Sequence, residues 1–302
     1  MELMKTVDLF SGCGGFSLGF QNAGFEIIGA FDNWKAAGET YKANFTHPFY
    51  LMDVAGWEAL DIIRALKPEI IIGGPPCQDF SVCGKRNTDG ARANLTLSFA
   101  EIICDVKPAY FVMENVTGAR DTGVYSLALK NMRAAGYGIE TVILDASLCG
   151  VPQKRKRLFA IGGLNKTDIS FRLGQIIRGS LAQKPLTVRE YMGAEIYFEH
   201  YYRHPRDYNR QSIYSIDETS PTIRGVNREI PPGHKPHSKD SAPLSPSIRA
   251  LTSYERARIQ TFPPGFVFTG NKGEIDQQSG NAVPVNLAKF VGEALKKYIA
   301  GA

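Results

Sequence analysis

Two hydrophobic patterns alternate along the first half of the chain. Short apolar runs rich in β-branched residues alternate with longer stretches in which apolar residues recur every three or four positions. The runs are TVDLF, EIIGAF, EIIIGG, AYFVMEN, ETVILDA and LFAIGGL, and the stretches are WEALDIIRALK, SFAEIICDVK and SLALKNMRAAG. In the first of these stretches the spacing assigns a core-facing stripe to Trp57, Leu60, Ile63 and Leu66. The alternation predicts an α/β fold built on a doubly wound, mostly parallel sheet with helices on both faces.

The pattern changes between about residues 170 and 270, where prolines, tyrosines, arginines and histidines become frequent. Helical spacing returns in PVNLAKFVGEALKKYIA, which begins at Pro284. We expect this last helix to return to the first domain and complete it. The sequence therefore predicts one domain formed by residues 1–170 and 272–302, and a second, smaller domain formed by residues 171–271.

Composition sets limits on the class of protein. The chain has 302 residues, 43% hydrophobic and 22% charged, and no apolar run approaches the roughly 20 residues that a membrane span needs. Its first residues lack an export signal, so we expect a cytoplasmic protein with no membrane association. The five cysteines show no CxxC spacing, which argues against disulfides and a zinc ribbon. The net charge of +5 permits a polyanionic partner without requiring one.

A glycine turn follows the first predicted strand in VDLFSGCGGFSLGF. A strand, a tight turn and a helix start let a nucleoside-type ligand approach backbone N–H groups. Ser17 stands where the dinucleotide fingerprint has its third glycine, which argues against a nicotinamide or flavin. Asp32, about 20 residues further on, suits ribose hydroxyls. Asp53 follows the next apolar run and could accept from an adenine amino group. The alternative is that the glycines only satisfy the turn and that the carboxylates are surface residues.

The stretch GGPPCQDFS places a cysteine directly after two prolines. Pro75 and Pro76 restrict the backbone, so Cys77 is presented at the carboxyl edge of the sheet, where open α/β sheets bind ligands. Glu114 ends the next strand and should face the same cleft. The alternative for Cys77 is a small buried hydrophobic residue.

Two arginines alternate in QKRKRLF, residues 153–159. Arg155 and Arg157 share one face of this extended stretch. A thiol, a carboxyl group and a pair of cations form a catalytic arrangement rather than a packing one.

Taken in order, six motifs of the chain resemble those of the DNA cytosine-5 methyltransferases. They are DLFSGCGG, GGPPCQDFS, MENV, QKRKR, LTSYERARIQTFP and GNAVPV. The resemblance covers nearly the whole chain except about residues 165–245, and without regulatory extensions it indicates a small prokaryotic or phage enzyme. It implies the S-adenosylmethionine-dependent methyltransferase fold, methyl transfer to cytosine C5 in a short duplex DNA site, S-adenosylhomocysteine as product and no metal.

The resemblance also implies residue roles. Cys77 attacks C6 of a flipped-out cytosine, Glu114 hydrogen bonds to ring N3, Arg157 lies at the cytosine O2, and Arg155 lies nearer the backbone and the cysteine loop. The cofactor residues that it implies are Phe10, Gly12, Gly14, Asp32, Asp53, Pro75 and Asn281. Departures from the family pattern are Asp32 for Glu, Asn33 for an aromatic residue, Tyr254 for Arg and Thr261 for Gly.

Two regions are candidates for DNA contact. Residues 78–94 are polar and glycine-containing, which suits a loop that closes on DNA, or else a plain solvated loop. Residues 199–239 hold four of the five histidines together with five arginines and four tyrosines, a composition suited to phosphate and base contacts. The candidate DNA contacts are Gln78, Ser81 and Arg92 in the loop, and Thr222, Ile223, Arg224 and Arg228 in the second domain. A zinc site on the histidines is disfavoured because no cysteine follows Cys149.

Three functions stay open at this level. The first is a DNA cytosine-5 methyltransferase, acting as a monomer on double-stranded DNA and either paired with a restriction endonuclease for the same site or solitary. The second is an RNA cytosine-5 methyltransferase of the same fold, for which a CFT signature would speak; the nearest match, VFTGNK, lacks the cysteine. The third is a DNA-binding protein without catalysis.

Overall fold

The computed structural model describes residues 3–76, 95–205 and 210–301. Seven strands form one sheet in the order β3-β2-β1-β4-β5-β8-β6. The strands of the chain are β1 (Lys5–Leu9), β2 (Glu26–Asp32), β3 (Phe49–Leu51), β4 (Ile70–Gly73), β5 (Tyr110–Val116), β6 (Tyr137–Asp145), β7 (Gln153–Lys154), β8 (Lys156–Leu164), β9 (His200–Tyr202), β10 (Ile213–Ser215) and β11 (Ser220–Pro221). Strands β1 to β5 pair in parallel, and β8 runs antiparallel to both β5 and β6. The predicted doubly wound, mostly parallel α/β sheet is therefore confirmed.

Helices cover both faces of this sheet. The helices of the described ranges are α1 (Gly15–Ala23), α2 (Lys35–Asn44), α3 (Trp57–Leu66), α4 (Leu95–Val106), α5 (Gly123–Ala134), α6 (Ile169–Ser180), α7 (Val188–Met192), α8 (Ser253–Ile259), α9 (Lys272–Asn281) and α10 (Val285–Ile299). One core cluster joins α1, α6 and α10 to the sheet, and a second joins α3, α4 and α5 to its other face. Gly19 of α1 meets α10 so closely that a Cβ there would lie 2.4 Å from Ala288 Cβ. The last helix thus packs on the first helix. None of the helices in the described ranges is long and apolar enough to cross a bilayer.

The core stripe assigned to α3 is wrong at its first position. Trp57 is 74% exposed, whereas Ala59 and Ile63 are buried. A three-residue spacing drifts by about 60° per step on a helix of 3.6 residues per turn, so four such positions cannot share one face. The buried pair is spaced by four residues instead.

The second region has its own small cores. Val188, Tyr201, Ile216 and Leu251 belong to one cluster, and β11 pairs with β7 of the first region. Residue 171, the expected boundary, falls inside α6, of which Ile169, Leu173 and Ile177 pack in the core under the sheet. Near the other expected boundary, Ile259 packs in the cluster of the second region, whereas Ala257 and Phe262 pack with Cys13 and Val285. The division into two domains at residues 171 and 271 stays a prediction.

Candidate active site

A cavity of about 430 Å³ opens at the carboxyl ends of the parallel strands. Its lining comes from the turn after β1, the ends of β2 and β5, the segment after β4, and the end of α9. The carboxyl edge is where open α/β sheets bind ligands. Segments that are remote in sequence meet here.

The turn after β1 has a backbone that few residues tolerate. Phe10 has φ +59°, Gly12 φ +54° and Gly14 φ +97°. A Cβ on Gly14 would lie 2.4 Å from a ring carbon of Phe45, so glycine is required there for two reasons. Phe10 carries a side chain in the left-handed region, a conformation that costs about 1–3 kcal/mol and occurs preferentially at functional sites. Phe10 and Gly12 both line the cavity.

Asp32 braces this turn from the end of β2. Its Oδ2 accepts from Gly12 N–H at 2.8 Å, and its Oδ1 accepts from Trp34 N–H at 2.8 Å. Burial raises the pKa of Asp32, and these backbone hydrogen bonds oppose that rise. Each carboxylate oxygen keeps a lone pair, and the residue lines the cavity. The carboxylate can therefore hold the turn and accept from ligand hydroxyls at once.

Further lining residues flank this carboxylate. Asp53 is exposed, accepts from Ala55 N–H at 3.0 Å and lines the cavity, as does Asn281 at the end of α9. Trp34 lines it too. Sequence reasoning noted the missing aromatic residue at Asn33 and overlooked Trp34, the next residue along the chain. The aromatic surface expected there is thus displaced by one position.

Glu114 and Arg157 form a largely buried ion pair in the lining of the cavity. Arg157 Nε lies 2.9 Å from Glu114 Oε1, across the antiparallel pairing of β5 with β8. Burial raises the pKa of Glu114, while Arg157 and, less strongly, Arg155 lower it. The carboxyl group is thus held between a low-dielectric environment that favours its neutral form and cations that favour its ionised form.

The segment before Cys77 is fixed beside this pair. Asn115 Nδ2 donates to Pro75 O at 3.2 Å, and a Cβ on Gly74 would lie 3.2 Å from Glu114 Oε2. Pro75 and Pro76 line the cavity. Cys77 itself lies outside the described residues, as do the predicted DNA contacts Gln78, Ser81 and Arg92.

Arg155 is a buried clamp on backbone carbonyls. Its Nη1 donates to Ile223 O at 3.0 Å, and its Nη2 donates to Gly280 O at 3.1 Å and to Ala282 O at 3.2 Å. Burial, then repulsion from Arg157, lowers the pKa of Arg155 to about 9. The terminal nitrogens of Arg155 thus link its own strand region to residue 223 and to residues 280–282. The expected catalytic role of Arg155 stays a prediction.

A second, basic groove of about 680 Å³ adjoins the first cavity and shares Arg155, Arg157, Gly280 and Asn281 with it. Thr222 and Arg224 line this groove, and the Thr222 hydroxyl donates to Lys154 O at 2.7 Å. The further arginines of its lining are Arg203 and Arg210.

The other two predicted DNA contacts of the second region differ in their surroundings. Ile223 lines the same groove, but its side chain is 3% exposed and packs in the second region's core, so a DNA contact at Ile223 stays a prediction. Arg228 is exposed and lies outside the lining of both cavities.

Two histidines of the second region each lie within hydrogen-bond distance of a hydroxyl group. His204 Nδ1 lies 3.1 Å from Tyr202 Oη, and His234 Nε2 lies 3.0 Å from Ser212 Oγ. Within the described ranges, no group of three or more His, Cys, Asp or Glu side chains is placed to hold a metal ion.

The chain has extensive similarity to known proteins. The family model described as C-5 cytosine-specific DNA methylase matches residues 4–297. The Type II methyltransferase M.HindV of Haemophilus influenzae is 52% identical over 294 residues, covering 97% of this chain and 96% of that protein. M.HgiDI of Herpetosiphon aurantiacus, also a Type II methyltransferase, is 51% identical over 297 residues, covering 98% and 95%.

Solved structures share the fold at low sequence identity. The Dnmt2 methyltransferase of S. pombe superposes with a TM-score of 0.74 at 19% identity, covering all of both chains. A putative DNA modification methyltransferase encoded within a prophage of E. coli gives a TM-score of 0.72 at 22% identity, covering 98% of this chain and 99% of that one. The architecture is therefore that of the methyltransferases.

Proposed function

Because the chain belongs to the C-5 cytosine-specific DNA methylase family, we propose that it methylates C5 of a cytosine flipped out of a short duplex DNA site, through a covalent bond between Cys77 and C6. One observation carries the detailed proposal. The Glu114–Arg157 pair and the Pro75–Pro76 segment that leads to Cys77 line the same cavity as the Asp32-braced turn. One site thereby combines a carboxyl group, a guanidinium group, the segment that leads to the thiol and the turn suited to a nucleoside ligand.

The cavity fits S-adenosylmethionine. Asp32 offers a carboxylate for ribose hydroxyls, and Phe10 and Trp34 offer aromatic surface for an adenine. Gln278 lines the cavity, and its Oε1 is buried without a hydrogen-bond partner among the described residues. Such an acceptor is satisfied by a ligand donor. When bound, S-adenosylmethionine supplies an electrophilic methyl group.

The base must be activated before its C5 can react. Attack of a thiolate at C6 forms the S–C6 bond and moves the C5–C6 electron pair into the ring, where charge builds at N3 and O2. Glu114, whose pKa burial raises, is suited to share a proton with N3. C5 then has enamine character and forms a bond to the methyl group, with S-adenosylhomocysteine as the leaving group. Loss of the C5 proton to a base and departure of the thiolate restore the aromatic ring.

Arg157 serves this chemistry in two ways. Its ion pair fixes the orientation of Glu114, and it lines both the cavity and the basic groove. A guanidinium there is suited to the developing charge on the cytosine O2. Since a base inside a duplex cannot reach such a cavity, the cytosine must leave the helix, at a cost of a few kcal/mol.

The basic groove is the proposed path of the duplex. Arg203, Arg210 and Arg224 suit phosphate contacts, and Thr222 and Arg224 lie where they can contact the target site. Residues 78–94, which follow Pro76, are proposed to close over the DNA. The Type II relatives further suggest a restriction endonuclease of the same specificity as functional partner.

The test is methyl transfer from labelled S-adenosylmethionine to mixed duplex DNA and to RNA, followed by bisulfite sequencing. We expect protection of cytosines in one short DNA motif. Cys77→Ser and Glu114→Gln should lose transfer while still binding S-adenosylhomocysteine, and Glu39→Gln, on an exposed helix face, should keep it. Label in RNA alone, or an active Cys77→Ser protein, would overturn the proposal.

A further inference from the structure

Arginines hold the backbone of residues 222–226, here called the recognition segment. Arg203 Nη2 donates to Thr222 O at 2.9 Å, and Arg155 Nη1 donates to Ile223 O at 3.0 Å. Arg256 donates through Nη2 to Arg224 O and through Nη1 to Val226 O at 3.4 Å. Four carbonyls of five consecutive residues are thus fixed by side chains from three other parts of the chain. Such contacts set where the groove-lining side chains of the segment lie.

Arg256 also connects the segment to α9. Its Nε lies 3.0 Å from Asp276 Oδ1, and the two side chains are 6% and 4% exposed. A buried ion pair contributes little net stability because desolvation offsets attraction, whereas breaking it leaves an uncompensated buried charge. A role in orientation accounts for such a pair better than a role in stability does.

The last turn of α9 forms a wall between the two cavities. Gln278, Gly280 and Asn281 line the cavity assigned to the cofactor, and the last two also line the basic groove. A Cβ on Gly280 would lie 2.3 Å from both Arg224 C and Gly225 N. The recognition segment therefore rests directly on the turn whose other side faces the cofactor.

We propose that Arg256 and Asp276 are positioning residues that couple cofactor binding to DNA site discrimination. This inference rests on the proposed function. A ligand that orders the last turn of α9 also orders the recognition segment, through the Gly280 contact and through Arg256. By linkage, DNA that orders the segment raises the affinity for the cofactor by the same factor.

The test compares variants of the Arg256–Asp276 pair with a control variant on α8. Asp276→Asn keeps the side-chain volume and removes the charge, and Arg256→Lys keeps the charge and removes the planar set of donors. Arg258→Lys is the matched control, because Arg258 also lies on α8 and pairs with Glu195 at 2.8 Å, but donates to Phe262 O rather than to the recognition segment. Thermal unfolding shows whether each variant is folded.

Two quantities are measured once bisulfite sequencing has given the wild-type site. One is the ratio of methylation rates on that site and on duplexes with one base pair changed. The other is the ratio of S-adenosylhomocysteine dissociation constants without and with the duplex, by calorimetry. We expect both ratios to fall about tenfold in Asp276→Asn and Arg256→Lys, and to stay unchanged in Arg258→Lys.

Distinct results separate the two levels of inference. A wild-type protein that methylates no DNA refutes the proposed function. A methylating protein whose discrimination and coupling survive in both test variants refutes the positioning role, as does an equal fall in Arg258→Lys, which would show a general effect of weakening α8.

Discussion

Asp8 lies in β1, two residues before the strained Phe10, and its side chain is completely buried. Ser17 Oγ donates to its Oδ2 at 2.6 Å, while its Oδ1 has no hydrogen-bond partner among the described residues. The chain of hydrogen bonds continues from Ser17 to Tyr41 Oη at 2.7 Å and on to His47 Nε2 at 2.6 Å. Burial raises the pKa of Asp8 from 3.8 to about 8, opposed by Ser17 and assisted by the charge of Asp32. We therefore expect Asp8 to be neutral at pH 7.

The replacement Asp8→Asn tests this with a neutral side chain of the same size. In the wild type the folded state holds a proton that the unfolded state releases above pH 4. Stability therefore falls as pH rises toward 8, by up to about 1.4 kcal/mol per pH unit. With a folded pKa of about 8, the loss between pH 6 and pH 8 is about 2 kcal/mol. Asp8→Asn should lack this part of the pH dependence, whatever its stability at any one pH.

Urea unfolding at pH 6, 7 and 8 measures the effect. The quantity compared is the change in the free energy of unfolding with pH, because other groups add an equal slope to both proteins. Asp105→Asn is the control: the pKa of this exposed carboxylate is lowered by Arg64, so its contribution is lost only at acid pH and the slope from pH 6 to 8 should not change. Equal slopes for wild type and Asp8→Asn would refute a neutral Asp8.

Three further substitutions test the local geometry. Gly14→Ala should cost more than about 1 kcal/mol of stability and weaken S-adenosylhomocysteine binding, because the φ of Gly14 is positive and the new Cβ would clash. Gly118→Ala is the control: its Cβ would meet open space, so neither stability nor binding should change. Thr261 has φ +64°, and its hydroxyl accepts from Asn286 N–H at 2.9 Å at the start of α10. Thr261→Val should lose about 1–2 kcal/mol in urea unfolding while Thr261→Ser stays near wild type; equal stability of both would exclude a capping role. Arg155→Lys should destabilise the fold by about 2–3 kcal/mol, since one ammonium cannot span three carbonyls, and an unchanged unfolding midpoint would contradict that account.

The strand-end residues were predictable because one rule places them. Parallel strands share a carboxyl edge, so Asp32 at the end of β2 and Glu114 near the end of β5 had to approach the segment after β4. Alternation likewise put Arg155 and Arg157 on one face. Alternation does not predict which group each side chain contacts. Arg157 meets a carboxylate, whereas Arg155 meets carbonyls contributed by residues 68 and more positions away.

Other features depended on tertiary contacts that leave no local pattern. Ile223 was predicted from a resemblance to contact DNA, and that contact stays a prediction; what its local sequence did not indicate is that its side chain also packs in the core of the second region. Thr261 stands where the family has glycine, and its positive φ gives the physical reason for that preference. Asp8 looked like an ordinary strand residue, because burial of both faces of a central strand follows from the sheet order rather than from its own sequence.

The charges of the residues that line both cavities suggest why position 155 has a charged donor rather than a neutral one. A neutral donor could satisfy carbonyls without the cost of burying a cation. With a pKa of about 9, Arg155 stays charged at neutral pH, so it and Arg157 outweigh Glu114 in either protonation state of the carboxyl group. In the function proposed above, such an excess of positive charge would favour the thiolate form of Cys77 over the thiol and attract the phosphates of the duplex. We infer that the thiolate and the DNA phosphates offset the free-energy cost of burying Arg155. The same side chain would then hold protein segments together, activate the nucleophile and attract DNA.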